Sequence, residues 1–392
     1  MKVLSIDVET TIRGPSHDPS PFFTDNKLCC ISTHDGIETR VWKIEYDTSP
    51  YLDNLSSVSK LVDSADIIVG FALKFDLHWL RRYGIILNSN HRVWDCQLAD
   101  FILGGQSSPF PSLDEVGRKH SLGGKLDGGL SSYWDHGIDT TDIPWEELEP
   151  YAAQDAKLTY EIYERQGIHT GDLSPLISLS NMDLLVLADM EWNGLKINVE
   201  LLKQKEREAG EKIKNITDEL NRIVDVPFPS NYNSTDFLSC LLYGGKYHYK
   251  EKEEAGKYST GQKAGEVKTR WIVKEHIFPR LVEPLKRSKL KKEGFYSTDT
   301  KTLKNIQVKG KAHDITKLLL QYSRLEKLLS TYYVVIQKNV SALRWPDNMQ
   351  SNSILRGRYN QVVARTGRLS SSKPNLQNLP EELGEVIVSR FL

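Results

Sequence analysis

The chain opens MKVLSIDVETT, and residues 3–8 read as a β-strand built on apolar side chains. Successive strand side chains point to opposite faces, so Asp7 and Glu9 fall side by side on one face. Like charges held that close repel, and burial raises the cost. A fold that keeps both acids at the end of an apolar strand has to balance their charge with something else. That requirement restricts what the rest of the chain must supply.

Beyond this strand the chain alternates in type. LCCISTHDG and TRVWKI read as strands, and LVDSADIIVGF as a helix end running into a buried strand. LKFDLHWLRRYG has helical spacing closed by a glycine, and HRVWDCQLADFILGG is a short strand leading into a helix. Mixed strands and helices of this length predict an α/β layered domain. IPWEELEPYAAQDAKLTYEIYERQG reads as two helical pieces divided by Pro150, a residue suited to the first turn of the second piece.

From Leu173 onward the pattern is mainly helical. LSPLISLSNMDLLVLADMEWNG closes at Asn193-Gly194, and LLKQKEREAGEKIKNITDELNRIV is a charged amphipathic helix. Residues 244–300 are rich in Gly, Lys and Tyr with few periodic apolar positions, which predicts a mobile or hairpin-bearing insertion. ITKLLLQYSRLEKLLSTYYVVIQKNV is one long amphipathic helix. A chain of 392 residues is expected to divide into two or three domains.

Bulk properties narrow the function classes. Hydrophobic residues at 39% and charged residues at 26% are ordinary for a globular protein. No uninterrupted run approaches the roughly 20 apolar residues of a bilayer span, so no membrane partner is expected. The N-terminus passes from Met1 and Lys2 into the strand without a signal-peptide pattern. Cys29, Cys30, Cys96 and Cys240 show no metal-ligand spacing, and a reduced cytoplasmic setting (host cytoplasm, for a viral chain) is the default. The net charge of −1 hides an asymmetry. Residues 1–170 hold 15 Lys and Arg against 26 Asp and Glu, while residues 246–311 hold 18 against 8. The basic stretch is either a solvated lysine-rich face or a surface for a polyanion.

Two further features bear on the paired acids. In IIVGFALKFD, Asp76 falls in the first turn of a helix after a buried strand, a common place for an acid. In YAAQD, Tyr151 and Asp155 are spaced i, i+4 and share a helix face, as many surface pairs do. Together they give four carboxylates and a phenol. Mg²⁺ or Mn²⁺ prefers such hard oxygen ligands, and a pair of these cations serves in-line displacement at phosphorus. Two bound divalent cations would relieve the repulsion between Asp7 and Glu9.

SIDVETT, VGFALKFDLHWLRRYGI and YAAQDAKLTYEIY resemble the three motifs of DEDD-superfamily 3′-5′ exonucleases, and Tyr151 marks the DEDDy branch. The resemblance implies an RNase H-like mixed sheet with flanking helices. It makes Asp7, Glu9, Asp76 and Asp155 metal ligands and Tyr151 the group that orients or helps deprotonate the attacking water. The family usually carries Asn at the position of Ala72, which puts the rate in doubt more than the chemistry. Asp95, which also has a counterpart there, reads as a helix N-cap.

MEWNGLKIN, YSRLEKLLSTYY and above all ARTGRLSSSKPNLQNLP resemble family A (DNA polymerase I-like) DNA polymerases. The implied organisation is an exonuclease domain at 1–170, a thumb-like helical region at 171–345 with a basic insertion at 244–311, and the start of a palm at 346–392. Lys327, Arg368, Ser370, Asn375, Gln377 and Asn378 would then contact DNA, primer 3′ end and duplex alike. The palm strand with its metal aspartate and the fingers helix do not follow, since the chain runs EELGEVIVSRFL and stops. The expectation is therefore that a second polypeptide supplies palm and fingers, and that this chain alone does not polymerise. VIVSRFL is an unprotected sheet edge if nothing pairs with it. The expected start is also of the phage-polymerase type, with no 5′-nuclease domain ahead of the exonuclease. The resulting reading is the proofreading portion of a polymerase used in DNA replication. A free-standing DEDDy nuclease acting on RNA or DNA, and a non-catalytic DNA-binding subunit, are the alternatives. The polymerase-like string weighs against the first. The complete carboxylate set weighs against the second, although Ala72 keeps it open.

Overall fold

The computed structural model describes residues 1–13, 17–46, 51–88, 90–124, 130–257, 259–260, 262, 266–306, 308–342 and 353–388. Two compact units are formed, residues 1–199 together with 336–392, and residues 200–335.

The first unit is organised by a five-stranded mixed sheet. Its strands are β1 (Val3–Thr10), β2 (Leu28–His34), β3 (Thr39–Lys43), β4 (Ile67–Gly70) and β5 (Arg92–Asp95), in the order β3-β2-β1-β4-β5. β1 pairs antiparallel with β2 and parallel with β4, so it is the central strand where the sheet changes sense. β4 reads IIVG and is buried throughout, the pattern of a strand covered on both faces. In β1 the two faces differ, although Ser5 is also buried on the acid-bearing one. Leu4, Ile6 and Val8 are buried, whereas Asp7 and Glu9 are half-buried on the opposite face.

Helices cover both faces: α1 (Leu52–Ser64), α2 (Lys74–Arg82), α3 (Cys96–Leu103), α4 (Leu113–Lys119), α5 (Leu130–Asp135), α6 (Trp145–His169) and α7 (Ser174–Asn193). Leu4, Ile6 and Val8 pack with Val58, Val62, Leu77 and Leu80 of α1 and α2, and with residues of α3 and α7. On the other face, Leu158 and Ile162 of α6 meet Ile67 and Val69 of β4. Leu148 and Ala152 of α6 meet Cys30 of β2. The Ser5 hydroxyl donates to the Ala156 carbonyl at 2.7 Å and fixes α6 along β1. This is the RNase H-like layered arrangement expected from the sequence.

Two local expectations are corrected. The segment around Pro150 is one helix, α6, of 25 residues, with the proline inside it rather than dividing it. Pro150 is exposed, so the carbonyl one turn back that loses its donor can turn to water. The long helix after residue 311 is likewise not uniform, being interrupted by a π-helical turn. In and before α7, Gly171–Asn193 is long and apolar enough by length and composition to cross a membrane. It does so without an unbroken apolar run, and it buries Ile177, Asn181, Leu184, Leu187, Ala188 and Glu191. That face of the helix, Asn181 and Glu191 included, packs on α2, α3 and β5. Gly194 ends it with φ 61°, where a β-carbon would lie 2.7 Å from the Leu355 carbonyl oxygen. The next two residues form β6 (Leu195–Lys196).

The second unit contains α8 (Val199–Val224), α9 (Thr235–Tyr243), a hairpin of β7 (Gly245–Lys257) and β8 (Val267–Phe278), α10 (Thr300–Asn305) and α11 (Lys311–Lys327). Phe237, Leu242 and Ile315 lie fully buried in its core. The hairpin lies within the stretch where the sequence predicts a mobile or hairpin-bearing insertion. α11 passes into the π-helical turn at Leu328–Tyr333 and then into α12 (Val334–Ala342). A π turn shifts the register, so one apolar stripe does not run the length of the segment.

The C-terminal part of the first unit adds short pairings. β9 (Ile354–Leu355) pairs with β6, and β10 (Arg358–Asn360) pairs with β11 (Ser370–Ser372). Ile387 bridges to Ile197, and the Val388 N–H donates to the Lys196 carbonyl at 2.8 Å. The described part of the apolar C-terminal string is thus paired rather than an open edge. Residues 389–392 of that string lie outside the described residues.

Candidate active site

Asp7 and Glu9 are placed by the pleat of β1, and Asp155 by the face of α6 that packs on the strand. One oxygen from each of these three carboxylates lies within 4.8 Å of the other two. Asp155 is 1% exposed, while Asp7 and Glu9 are half-buried. The register of β1 against β2 shifts between Glu9 and Thr10, immediately beyond the second acid. The donor set is all carboxylate oxygen, which suits Mg²⁺ or Mn²⁺ and does not suit a soft metal.

Asp76 stands on the first turn of α2, outside this triad of oxygens but close enough to Asp7 for their charges to interact. Burial pushes its carboxyl well above the usual range, and Asp7 and then Asp95 push it further. The Val8 backbone N–H, which hydrogen-bonds the Asp76 carboxylate, opposes the rise. Tyr151 lies one turn before Asp155 on α6, and its ring meets that of Trp134 edge-on at 5.9 Å.

Asp95 caps α3 as the sequence predicts, accepting from Gln97 and Leu98 N–H at 2.9 and 3.1 Å. It also does something the sequence did not disclose. The same carboxylate accepts the N–H groups of Leu73 at 2.9 Å and Ala72 at 3.3 Å. It thereby clamps the turn that presents Asp76. Burial raises the Asp95 pKa, against the pull of those N–H donors. Ala72 sits in this turn with φ 56°, a left-handed conformation that Asn adopts more readily than Ala. The usual Asn of the exonuclease motif is therefore suited to this backbone, and Ala72 carries local strain.

The other sequence-predicted contacts are dispersed. Lys327 is an exposed residue at the end of α11, in the second unit. Arg368 is exposed and Ser370 begins β11, both in the first unit. Asn375, Gln377 and Asn378 are exposed in the following loop, where the Asn375 side-chain Oδ1 accepts the Gln377 N–H at 3.0 Å. A cavity of about 620 Å³ in the first unit is lined by Asp18, Phe22, Lys74, His78, Arg356 and Tyr359, among others. Ala72 and Asp95 reach it, but Asp7, Glu9 and Asp155 are not among its lining residues. The carboxylate cluster, rather than this larger void, has a metal-type donor set.

With the geometry in place, two family models match the chain. Residues 1–165 match the one described as 3′-5′ exonuclease, and residues 262–391 match DNA polymerase family A. The chain is family A DNA polymerase-like. Its N-terminal region is a DEDD-type exonuclease domain with a carboxylate triad able to hold divalent metal, and a mainly helical, thumb-like region follows. DNA polymerase I of Bacillus subtilis is 31% identical over 221 residues, covering 56% of this chain and 19% of the relative. The thermostable DNA polymerase I of Thermus aquaticus is 31% identical over 210 residues, covering 53% and 19%. The Synechocystis enzyme is 29% identical over 315 residues, covering 78% and 26%. The chain thus spans about a fifth to a quarter of the length of these relatives. Among solved structures, the POL domain of Pol1 from M. smegmatis, in complex with DNA primer-template and dNTP, matches with a TM-score of 0.63. That match covers 96% of this chain and 52% of the other at 16% identity, a likeness of fold.

Proposed function

We propose that this family A-like chain hydrolyses nucleotides one at a time from DNA 3′ ends, as the proofreading exonuclease of a DNA polymerase. The observation that carries the reading is the convergence of Asp7, Glu9 and Asp155 from β1 and α6 in a domain that matches the exonuclease model. These three, with Asp76 beside Asp7, would hold two Mg²⁺ or Mn²⁺ ions. Such ions supply positive charge that activates water and offsets the charge developing at phosphorus and on the leaving oxygen.

The chain's own groups have distinct tasks in this reading. Val8 N–H and the Asp95-clamped turn hold Asp76 at the edge of the cluster. Tyr151, on the Asp155 face of α6, presents its hydroxyl to orient the attacking water or accept its hydrogen bond. Trp134 limits how far that ring can swing. Lys327, Arg368 and the polar residues Ser370, Asn375, Gln377 and Asn378 are assigned to phosphate and base contacts. The match over residues 262–391 supports the polymerase setting. In this reading, primer extension draws on palm carboxylates supplied by a second polypeptide.

The test is degradation of 5′-labelled single-stranded DNA, with and without Mg²⁺, by the parent and by Asp7→Ala. Metal-dependent shortening from the 3′ end by the parent alone is expected, and equal activity in both removes the assignment. The same assay on RNA decides against DNA if RNA is the better substrate.

A further inference from the structure

The β7–β8 hairpin has two unlike faces. Directly paired residues of an antiparallel ribbon share a face, so the register sorts the side chains. Lys246 opposite Ile277, His248 opposite Glu275, Lys250 opposite Val273 and Lys252 opposite Trp271 lie on one side. Tyr247 opposite His276, Tyr249 opposite Lys274 and Glu253 opposite Arg270 lie on the other.

The second side is anchored and neutralised. Tyr249 stacks on Phe228 with ring centroids 4.1 Å apart, and the His276 ring meets Phe228 at 5.4 Å. Farther out, Lys274 pairs with Glu251 at 2.8 Å and Arg270 with Glu253 at 3.3 Å. The first side is open. Trp271 is 63% exposed, Val273 67% and Ile277 65%, an unusual outlay of apolar surface on a ribbon. The Lys252 ammonium lies 5.2 Å from the Trp271 ring centroid. Lys246 and His248 share Glu275, at 3.2 and 3.6 Å, and Glu254 lies toward the tip. Lys250 forms no ion pair among the described residues.

We propose that this face of the hairpin is a binding surface for single-stranded DNA, with an unpaired base stacked on Trp271 and the backbone along Lys246, Lys250 and Lys252. The chemistry is specific on two counts. Lysines at alternate positions of a strand, about 7 Å apart, give a line of charge that an anionic backbone can follow. A duplex keeps its base faces within its own stack, so an indole standing on a ribbon meets a free π-face only where bases are unpaired. The choice of DNA over another polyanion rests on the function proposed above.

The test measures equilibrium binding of a fluorescent oligothymidylate to the full chain in EDTA, where no hydrolysis occurs. Trp271→Ala is expected to weaken binding about tenfold. The pair Lys250→Gln with Lys252→Gln is expected to lower the slope of log affinity against log salt by about 1.4. Arg270→Gln with Lys274→Gln, on the opposite face, should change neither, and a blunt duplex should bind more weakly than the single strand. If the first-face variants bind like the parent, or the opposite-face pair loses as much, the proposal falls, and a protein partner for the apolar row takes its place. Failure at the hairpin, scored by binding in EDTA, is separable from failure of the hydrolytic reading, which is scored by Mg²⁺-dependent shortening of the same probe by the parent.

Discussion

Carboxylates are gathered in two regions of the sheet-bearing unit, under opposite rules. At the β1–α6 junction, Asp7, Glu9 and Asp155 turn their oxygens toward one another. Around Lys74 and His78 of α2, each acid is turned toward cations and N–H groups. Glu191 of α7 lies 2.5 Å from the Lys74 ammonium and 2.8 Å from the His78 ring nitrogen, and it accepts the Tyr359 N–H at 2.6 Å. Asp18 pairs with Arg358 at 2.6 Å and Lys373 at 3.0 Å. The second arrangement is complete as protein and serves as a clasp between the exonuclease layers and the β10–β11 segment. The first gathers like charge, which a fold keeps when bound cations complete it. Arranged this way, acids of the same kind, in the same unit, mark a site in one place and a structural joint in the other.

The contrast breaks most directly at the cluster. Asp7→Ala or Asp155→Ala should cost about 10³-fold or more in hydrolysis rate while leaving the melting temperature of the metal-free protein unchanged or higher, because a like charge is removed. Mg²⁺ at a hundredfold excess over its Kd should stabilise the parent by about 2.7 kcal/mol, an effect these variants lose. A fall in metal-free stability as large as that expected at Glu191 would show the cluster to be structural.

At the clasp the signs reverse. Glu191→Ala should destabilise the unit by about 3–5 kcal/mol in denaturant titration, since a half-buried Lys and a buried His lose their partner. Mg²⁺ should not rescue it.

Acid sharpens the same distinction. Burial, opposed by Glu191, holds His78 below its usual imidazole range. Burial would raise Glu191, but hydrogen bonding to His78 and the Lys74 charge win and hold it below the usual carboxylate range. In both cases the unfolded chain binds its proton first as pH falls, so stability present at pH 7 is lost on acidification. The loss begins near the ordinary histidine pKa of about 6.5 and grows as Glu191 is protonated below about 4.5. Thermal melts from pH 7.5 to 4 should show this decline, and His78→Gln should flatten its upper part.

The smallest expected effect concerns the turn before α2. Ala72→Asn should stabilise by about 1 kcal/mol, because Asn accepts the left-handed backbone at lower cost. Destabilisation would mean that the turn held by Asp95 is not strained at this position.

Sequence periodicity alone determined much of this protein. The period-two pattern of VLSIDV put Asp7 and Glu9 on one face, i, i+4 spacing put Tyr151 over Asp155, and the Asp95 cap and the Gly194 stop were legible from local chemistry. These are consequences of backbone geometry within a few residues, so no distant partner is needed to read them. Tertiary structure decided what lies across the chain. It drew Asp155 to β1 but left Asp76 just outside the oxygen triad. It gave Asp95 a second task at a turn 22 residues away and kept α6 helical through Pro150. It also split the basic insertion into a neutral, anchored face and an open one. Charge counting had found the insertion, but the alternation in KYHYKEKE and KTRWIVKEHIF would have shown its two faces only once the pairing register was known. Contacts of this kind are selected by packing and by the cost of leaving buried polar groups unsatisfied, and both depend on residues remote in sequence.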